Sequence, residues 1–279
     1  MESLVSPDWL EAQLGAADLR ILDATWFLPA DGRDARAEFE AAHLPGAAFV
    51  DIDDVSDPDS PYPHMLPPAH RLASRMQAAG VKDGARIVVY DNSPLHSGAR
   101  LWWMLRSFGA RRVALLDGGL AKWRAEGRPV ASGIADIGRG HFTPTLRAGA
   151  VASKREVLAL VGSDTEIVDA RSAARFAGTA AEPRAGLAAG HIPGAKNLPQ
   201  AQLFNPDNSW KRGDALRAAF AAAGVDLARP IVTTCGSGVT AAVLLFAAHL
   251  LGKDDVRLYD GSWSEWGADP ATPKATGPA

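Results

Sequence analysis

The fold of this chain is indicated by a strand, a loop and a helix in succession, since residues 230–251 read PIVTTCGSGVTAAVLLFAAHLL. The β-branched stretch before Cys235 predicts a short buried strand, and the apolar run at 241–251 is long enough for a helix. Backbone N–H groups of the glycine-rich loop between them can point inward, beside the positive end of the helix dipole. That setting favours thiolate over thiol and makes Cys235 a candidate nucleophile. The alternative is a small buried residue that happens to be cysteine.

Four segments of the first half recur in the second half in the same order. ILDA (21–24) recurs as IVDA (167–170), AHLPGA (42–47) as GHIPGA (190–195), IVVYD (87–91) as IVTTC (231–235), and LDGG (116–119) as YDGS (259–262). The matching segments lie about half the chain apart, which indicates a duplicated domain, because solenoid repeats have periods of only about 20–50 residues. We therefore expect domains at 1–127 and 153–267, joined by a linker at 128–152 and followed by a flexible tail at 268–279.

Short β-branched runs alternate with helical patterns in both halves. We expect strands at 20–24, 48–50, 86–90 and 113–116 in the first half, and at 166–169, 197–198, 231–234 and 257–259 in the second. This alternation predicts an α/β fold of two tandem domains, each a mostly parallel sheet with helices on both faces. Sites in such sheets form at the carboxyl ends of strands, which is where Cys235 is predicted to lie.

Composition excludes several classes of protein. The 279 residues are 47% hydrophobic and 22% charged with a net charge of −3, so nothing points to nucleic acid. No apolar stretch approaches the roughly 20 residues that cross a bilayer, and the N-terminus does not read as a signal peptide. A single cysteine excludes an intramolecular disulfide or thiolate cluster and fits a reducing cytoplasm, and the histidine spacing suggests no zinc site. We expect no metal and no membrane association.

The two halves differ at the position of the cysteine. The first half has Asp91-Asn92-Ser93 where the second has Cys235-Gly236-Ser237. A carboxylate at this place cannot act as a soft nucleophile toward sulfur. The asymmetry therefore favours a chemical role for Cys235, since a purely structural position would not need a rebuilt loop.

The paired domains, the two His-[Leu/Ile]-Pro-Gly-Ala segments, the Asp-Gly segments followed by Trp, and the CGSGVT loop together resemble the tandem-domain rhodanese superfamily, over about residues 7–266. The loop is similar to that of the 3-mercaptopyruvate branch, whereas thiosulfate enzymes typically carry Arg and Lys in place of Gly236 and Ser237. The resemblance implies a Cys235 persulfide formed from 3-mercaptopyruvate, with pyruvate leaving. It also implies a small thiol, a thioredoxin-like protein or cyanide as the acceptor, and no cofactor.

The resemblance further implies two sets of site residues around the cysteine. Arg175 and Arg184 match the family's substrate-binding arginines, and their planar forks suit a carboxylate. The alternative for both is a surface arginine paired with a nearby acid. Loop residues whose backbone amides would stabilise the charged sulfur are Gly236, Gly238, Val239 and Thr240.

A third implied set is a proton relay of Asp53, His64 and Ser237. A histidine near its ordinary pKa can pass protons at neutral pH, and a serine hydroxyl can relay them to the substrate. The alternative is local, because a histidine among prolines can cap a turn and Asp53 can hydrogen-bond its own loop.

Three other functions compete with the sulfurtransferase of the mercaptopyruvate branch. A thiosulfate:cyanide sulfurtransferase would suit a cationic loop, but Gly236 and Ser237 are uncharged. A cysteine phosphatase uses a Cys-x5-Arg loop, and Ala241 stands where that arginine would be. A non-catalytic sulfur carrier or interaction module would need Cys235 but neither the arginines nor the relay.

Overall fold

The computed structural model of the chain describes residues 1–278, which form two compact units. The first unit contains Met1–Pro58, Leu66–Arg147 and Asn205–Trp210. The second unit contains Asp59–Met65, Ala148–Phe204 and the residues from Lys211 onward. Each half of the sequence therefore contributes one short segment to the unit formed mainly by the other half.

The first unit is a five-stranded parallel sheet with helices between its strands. Its strands are β1 (Leu4–Val5), β2 (Leu19–Asp23), β3 (Ala47–Phe49), β4 (Arg86–Tyr90) and β5 (Val113–Leu116), in the order β1-β5-β4-β2-β3. Its helices are α1 (Pro7–Glu11), α2 (Ala35–Ala41), α3 (Ile52–Val55), α4 (Ala69–Ala78), α5 (Gly98–Ser107) and α6 (Gly119–Ala125). Every strand pair is parallel.

The second unit repeats this arrangement. Its strands are β6 (Val151–Ala152), β7 (Glu166–Asp169), β8 (Lys196–Asn197), β9 (Ile231–Thr234) and β10 (Val256–Tyr259), in the order β6-β10-β9-β7-β8. Its helices are α7 (Lys154–Leu160), α8 (Ala173–Phe176), α9 (Gly213–Ala222), α10 (Ala241–Leu250) and α11 (Ser262–Trp266). Two equivalent parallel sheets with helices confirm the predicted α/β fold and the duplication.

Burial explains why the central elements read as continuous apolar runs. All four residues of β9 are buried, as expected for a parallel strand covered on both faces. Residues 241–248 of α10 are buried without interruption, because the helix packs on β9 and β10 and is apolar around its circumference. The predicted strand and helix on either side of Cys235 are thus both core elements.

The structure differs from the expected boundaries in three places. The expected linker packs on the first unit through residue 147, with Ala131 paired to His43, and its end forms β6 of the second sheet. The expected flexible tail is hydrogen-bonded to the second unit instead, because Ala275 pairs with His191 and Gly277 donates its N–H to the Ala177 carbonyl at 3.0 Å. The third difference is the exchange of segments 59–65 and 205–210 between the units.

Among residues 1–278, no helix combines the length and apolar character that a membrane crossing requires.

Candidate active site

Cys235 lies directly after β9, the middle strand of its sheet, and six residues before α10 begins. The carboxyl end of a parallel strand is where open α/β sheets place their sites. The cysteine is buried, with 2% of its surface exposed. A nucleophile at this position is surrounded by protein on most sides, so the loop that follows it determines what can reach the sulfur.

One backbone N–H group of this loop points at the sulfur. Gly238 donates its N–H to Cys235 Sγ, with 3.1 Å between nitrogen and sulfur. Gly238 has a φ of 81°, in the left-handed region that other residues enter at a cost of about 1–2 kcal/mol. The glycine therefore allows the loop to turn its N–H inward, where it stabilises negative charge on the sulfur.

The start of α11 holds the cysteine backbone from the other side. The Trp263 N–H donates to the Cys235 carbonyl at 2.9 Å, and the Cys235 N–H donates to Ser262 Oγ at 3.2 Å. Ser262 has a φ of 48°, an uncommon conformation for serine. No motif in the sequence marks Ser262, but the repeat contains a signal, because the matching residue of the first half is Gly119, which has no hydroxyl.

Two members of the expected relay meet in the second unit. Nδ1 of His64 lies 2.8 Å from Ser237 Oγ, and both residues are buried. His64 belongs to segment 59–65, which is part of this unit although it lies in the first half of the sequence. Its φ of 63° shows that the backbone is held in a tight turn to present the imidazole. The pair has the geometry for proton exchange between a hydroxyl and an imidazole.

The third expected member, Asp53, lies in the first unit near the start of α3. Its Oδ2 accepts a hydrogen bond from Trp26 Nε1 at 2.9 Å, and its backbone N–H donates to Asp51 Oδ1 at 2.9 Å. These bonds hold Asp53 in place within its own unit, and its part in a relay stays a prediction.

Of the two arginines, Arg175 lies beside the cysteine loop. It extends from α8, and its Nη2 would be 2.9 Å from a Cβ atom built on Gly236. A side chain at position 236 would therefore displace the guanidinium, so glycine keeps the space that Arg175 uses. Arg175 also binds the buried carboxylate of Glu182, with 2.5 Å between Nη2 and Oε2. No pattern in the sequence marks Glu182 as a functional residue.

The remaining predicted residues have less specific surroundings. Arg184 is half-buried in the segment between α8 and β8, and its substrate contact stays a prediction. Val239 and Thr240 lie directly before α10, and their carbonyls accept the N–H groups of Ala242 and Val243. Within the described residues, no group of three or more His, Cys, Asp or Glu side chains is arranged to hold a metal ion.

Comparisons with known proteins agree on one family. The profile described as "Rhodanese-like domain" matches residues 6–126 and 153–269. A mouse 3-mercaptopyruvate sulfurtransferase is 44% identical over 271 residues, covering 95% of this chain and 91% of that protein. A chicken thiosulfate sulfurtransferase is 40% identical, covering 95% and 93%. The crystal structure of SseA from Escherichia coli, described as a 3-mercaptopyruvate sulfotransferase, superposes with a TM-score of 0.86 at 39% identity, covering 95% of this chain and all of that one.

Proposed function

Because the chain belongs to the rhodanese-like domain family, we propose that it is a sulfurtransferase that takes sulfur from 3-mercaptopyruvate through a persulfide on Cys235. The observation that carries the proposal is the Cys235 loop itself. It combines a buried thiol, an inward N–H from Gly238 and the Arg175 guanidinium beside Gly236. A soft nucleophile next to a carboxylate-binding cation matches a substrate that has both a sulfur and a carboxylate.

In the first step, the Cys235 thiolate attacks the substrate sulfur. A sulfur–sulfur bond forms, the carbon–sulfur bond of the substrate breaks, and the electron pair leaves on the enolate of pyruvate. A proton added to the enolate carbon gives pyruvate and leaves the enzyme as Cys235-S-SH. His64 and Ser237 are the proposed source of that proton, since they already share a hydrogen bond. Asp53 is proposed to orient His64.

In the second step, a nucleophilic acceptor attacks the outer sulfur and restores the Cys235 thiolate. A small thiol, a thioredoxin-like protein and cyanide can each play this part. Loop amides from Gly236 to Thr240 are proposed to stabilise the persulfide charge. Arg175 and Arg184 are proposed to bind the substrate carboxylate and keto oxygen.

We place the protein in the cytoplasm, since a lone cysteine fits a reducing compartment, and subcellular fractionation tests this.

Intact mass after mixing with 3-mercaptopyruvate tests the chemistry. The wild-type protein should gain one sulfur atom, and Cys235→Ser should gain none. Because Cys235 is the only cysteine, the gain has a single thiol to occupy. A wild-type protein that stays at its original mass contradicts the proposal.

Steady-state kinetics separate mercaptopyruvate from thiosulfate, the substrate named for the chicken relative. We expect kcat/KM for mercaptopyruvate to exceed that for thiosulfate, because the loop lacks cationic side chains at Gly236 and Ser237. Arg184→Ala should lower kcat/KM for mercaptopyruvate about 10- to 100-fold, the worth of a charged hydrogen bond. Arg229→Ala, which removes a half-exposed arginine of the same unit, is the matched control. A preference for thiosulfate would move the protein to the other branch.

A further inference from the structure

Four charged side chains of alternating sign form a continuous row in the second unit. Arg171 binds Asp169, with 2.7 Å between Nη2 and Oδ2, and binds Glu182, with 2.8 Å between Nη1 and Oε1. Glu182 in turn binds Arg175 at 2.5 Å. The row therefore runs from the end of β7 to α8, and its last member is the arginine beside the cysteine loop.

Burial decreases along this row. The side chains of Asp169 and Arg171 are 1% exposed, that of Glu182 is 3% exposed and that of Arg175 is 23% exposed. Buried charges are stable only when their partners are held in good geometry, so Glu182 has little freedom to move. Only Arg175 has a surface that another molecule can reach.

The orientation of the Arg175 guanidinium follows from these contacts. Its Nε and Nη2 face the Glu182 carboxylate, at 3.3 Å from Oε1 and 2.5 Å from Oε2. Neither of these two hydrogen bonds uses Nη1. Since Nη2 lies beside Gly236, the end-on fork of Nη1 and Nη2 is presented next to the cysteine loop. Such a fork matches the two oxygens of a carboxylate.

The first unit shows that the fold does not require this row. Asp23 corresponds to Asp169, and the residue two positions later is Thr25 in place of Arg171. The turn itself is the same, because Asp23 Oδ1 accepts the Thr25 N–H at 2.8 Å and Asp169 Oδ1 accepts the Arg171 N–H at 2.9 Å. The arginine is thus an addition in the unit that contains the cysteine.

We propose that Glu182 is a positioning residue, which holds Arg175 so that its Nη1–Nη2 fork faces carboxylate-bearing molecules approaching Cys235. Glutamine at this position would accept from one arginine N–H group and turn its own NH₂ toward the other donors. The guanidinium would then rotate, and its Nη1–Nη2 fork would no longer face molecules that approach Cys235. The inference depends on the proposed function only in taking Arg175 as the group that receives the substrate carboxylate.

Alkylation of Cys235 with two matched reagents tests the inference without any sulfur donor. Iodoacetate and iodoacetamide form the same carbon–sulfur bond and release iodide, but only iodoacetate has a carboxylate. The ratio of their rates, followed by intact mass, cancels changes in thiol reactivity and in the stability of the protein. We expect the ratio to fall about five- to tenfold in both Glu182→Gln and Arg175→Gln.

The double variant shows whether Glu182 acts through Arg175. If it does, adding Glu182→Gln to Arg175→Gln leaves the ratio where Arg175→Gln put it, since the two effects are not additive. Glu156→Gln is the control, because Glu156 pairs with Arg257 on the exposed surface of the same unit. An unchanged ratio in Glu182→Gln, or a further fall in the double variant, overturns the inference.

The alkylation result is independent of the sulfur donor. A protein that takes no sulfur from 3-mercaptopyruvate but shows the expected ratios would contradict the proposed substrate and leave Glu182 as a positioning residue. If the wild-type protein takes sulfur from 3-mercaptopyruvate but all variants show the same alkylation ratio, the proposed substrate stands and Glu182 is not a positioning residue.

Discussion

The loops after β4 and β9 have the same place in the two sheets, and they differ in the side chain with which they begin. The first loop begins with Asp91 and the second with Cys235. The backbone is held alike, because Leu120 donates its N–H to the Asp91 carbonyl at 3.0 Å and Trp263 donates its N–H to the Cys235 carbonyl at 2.9 Å. The two repeats therefore share the backbone hydrogen bond at this position and differ in its side chain, which is a carboxyl group in the first and a thiol in the second.

The first loop satisfies its own N–H groups with a carboxylate. Asp91 Oδ1 accepts the N–H of Ser93 at 3.0 Å, and Oδ2 accepts the N–H of Gly98 at 2.8 Å. The second loop directs the Gly238 N–H at a sulfur atom. Inward N–H groups of both loops therefore bind an electron-rich atom, which is a carboxyl oxygen in the first loop and a sulfur in the second.

The two loops also meet different segments of the chain. In the first unit, segment 205–210 places Trp210 over the loop, and the cavity left among Asp91, His96 and Trp210 has a volume of about 20 Å³. That volume admits one water at most. In the second unit, segment 59–65 brings His64 to Ser237 instead. The first loop is therefore covered by Trp210, whereas the second carries the hydrogen bond between His64 and Ser237.

Moving the cysteine between loops tests this contrast most severely. In a chain with Cys235→Ser and Asp91→Cys, we expect no gain of sulfur from 3-mercaptopyruvate and a loss of turnover of at least roughly 10³-fold. The thiol at position 91 would have no room for substrate and no equivalent of Arg175. Intact mass and pyruvate release provide the measurement, with Cys235→Ser alone as control. A persulfide on the transplanted cysteine would show that the closed cavity opens readily.

Replacing His64 by asparagine, the residue at position 208 in segment 205–210, tests the proposed proton transfer between His64 and Ser237. Each exchanged segment contains one non-glycine residue with positive φ, His64 at 63° and Asn208 at 66°. Since asparagine tolerates this backbone, His64→Asn should unfold at nearly the wild-type temperature. Pyruvate release should fall about 100-fold, as for loss of a general acid. Wild-type turnover in this variant would remove His64 from the mechanism.

The buried carboxyl group of Asp91 gives the first loop a pH signature. Burial raises the pKa of Asp91 from 3.8 to about 7. The folded protein then holds a proton that the unfolded chain releases, so this contribution to stability is full below about pH 4 and is lost as the pH rises to about 7.

Asp91→Asn should remove that pH dependence. Between pH 5 and 8, the free energy of unfolding of wild type should fall by about 2–3 kcal/mol relative to the variant. Denaturant titrations at several pH values measure the difference, and Cys235→Ser, which removes no carboxylate, serves for comparison. Parallel pH curves for wild type and Asp91→Asn would mean that Asp91 is ionised throughout this range.

Much of the fold was readable from the sequence, because the central strands have β-branched and apolar residues in succession, as in residues 87–89 of β4 and 231–234 of β9. The predicted strands at 86–90, 113–116, 166–169 and 231–234 coincide with β4, β5, β7 and β9. The first strand of each sheet was not predicted. Both β1 and β6 have two residues, which is too short to show any periodicity.

The site was readable where an internal comparison or a motif existed. Cys235 stood out because Asp91 replaces it in the other half, and the structure places Ser237, His64 and Arg175 in the same unit as Cys235. Glu182 was passed over because a buried partner of an arginine has no pattern of its own in sequence. The exchange of segments 59–65 and 205–210 could not be predicted for a related reason. The composition of a loop does not indicate which of two compact units it will pack against.

The exchanged segments also determine how this chain can be divided. A protein cut within residues 148–150 would yield a second fragment that contains Cys235, Arg175 and Ser237 but not His64, which lies before the cut. The first fragment would lack Trp210 and leave its closed loop uncovered. A fragment made of either repeat alone would therefore lack a segment of its own unit.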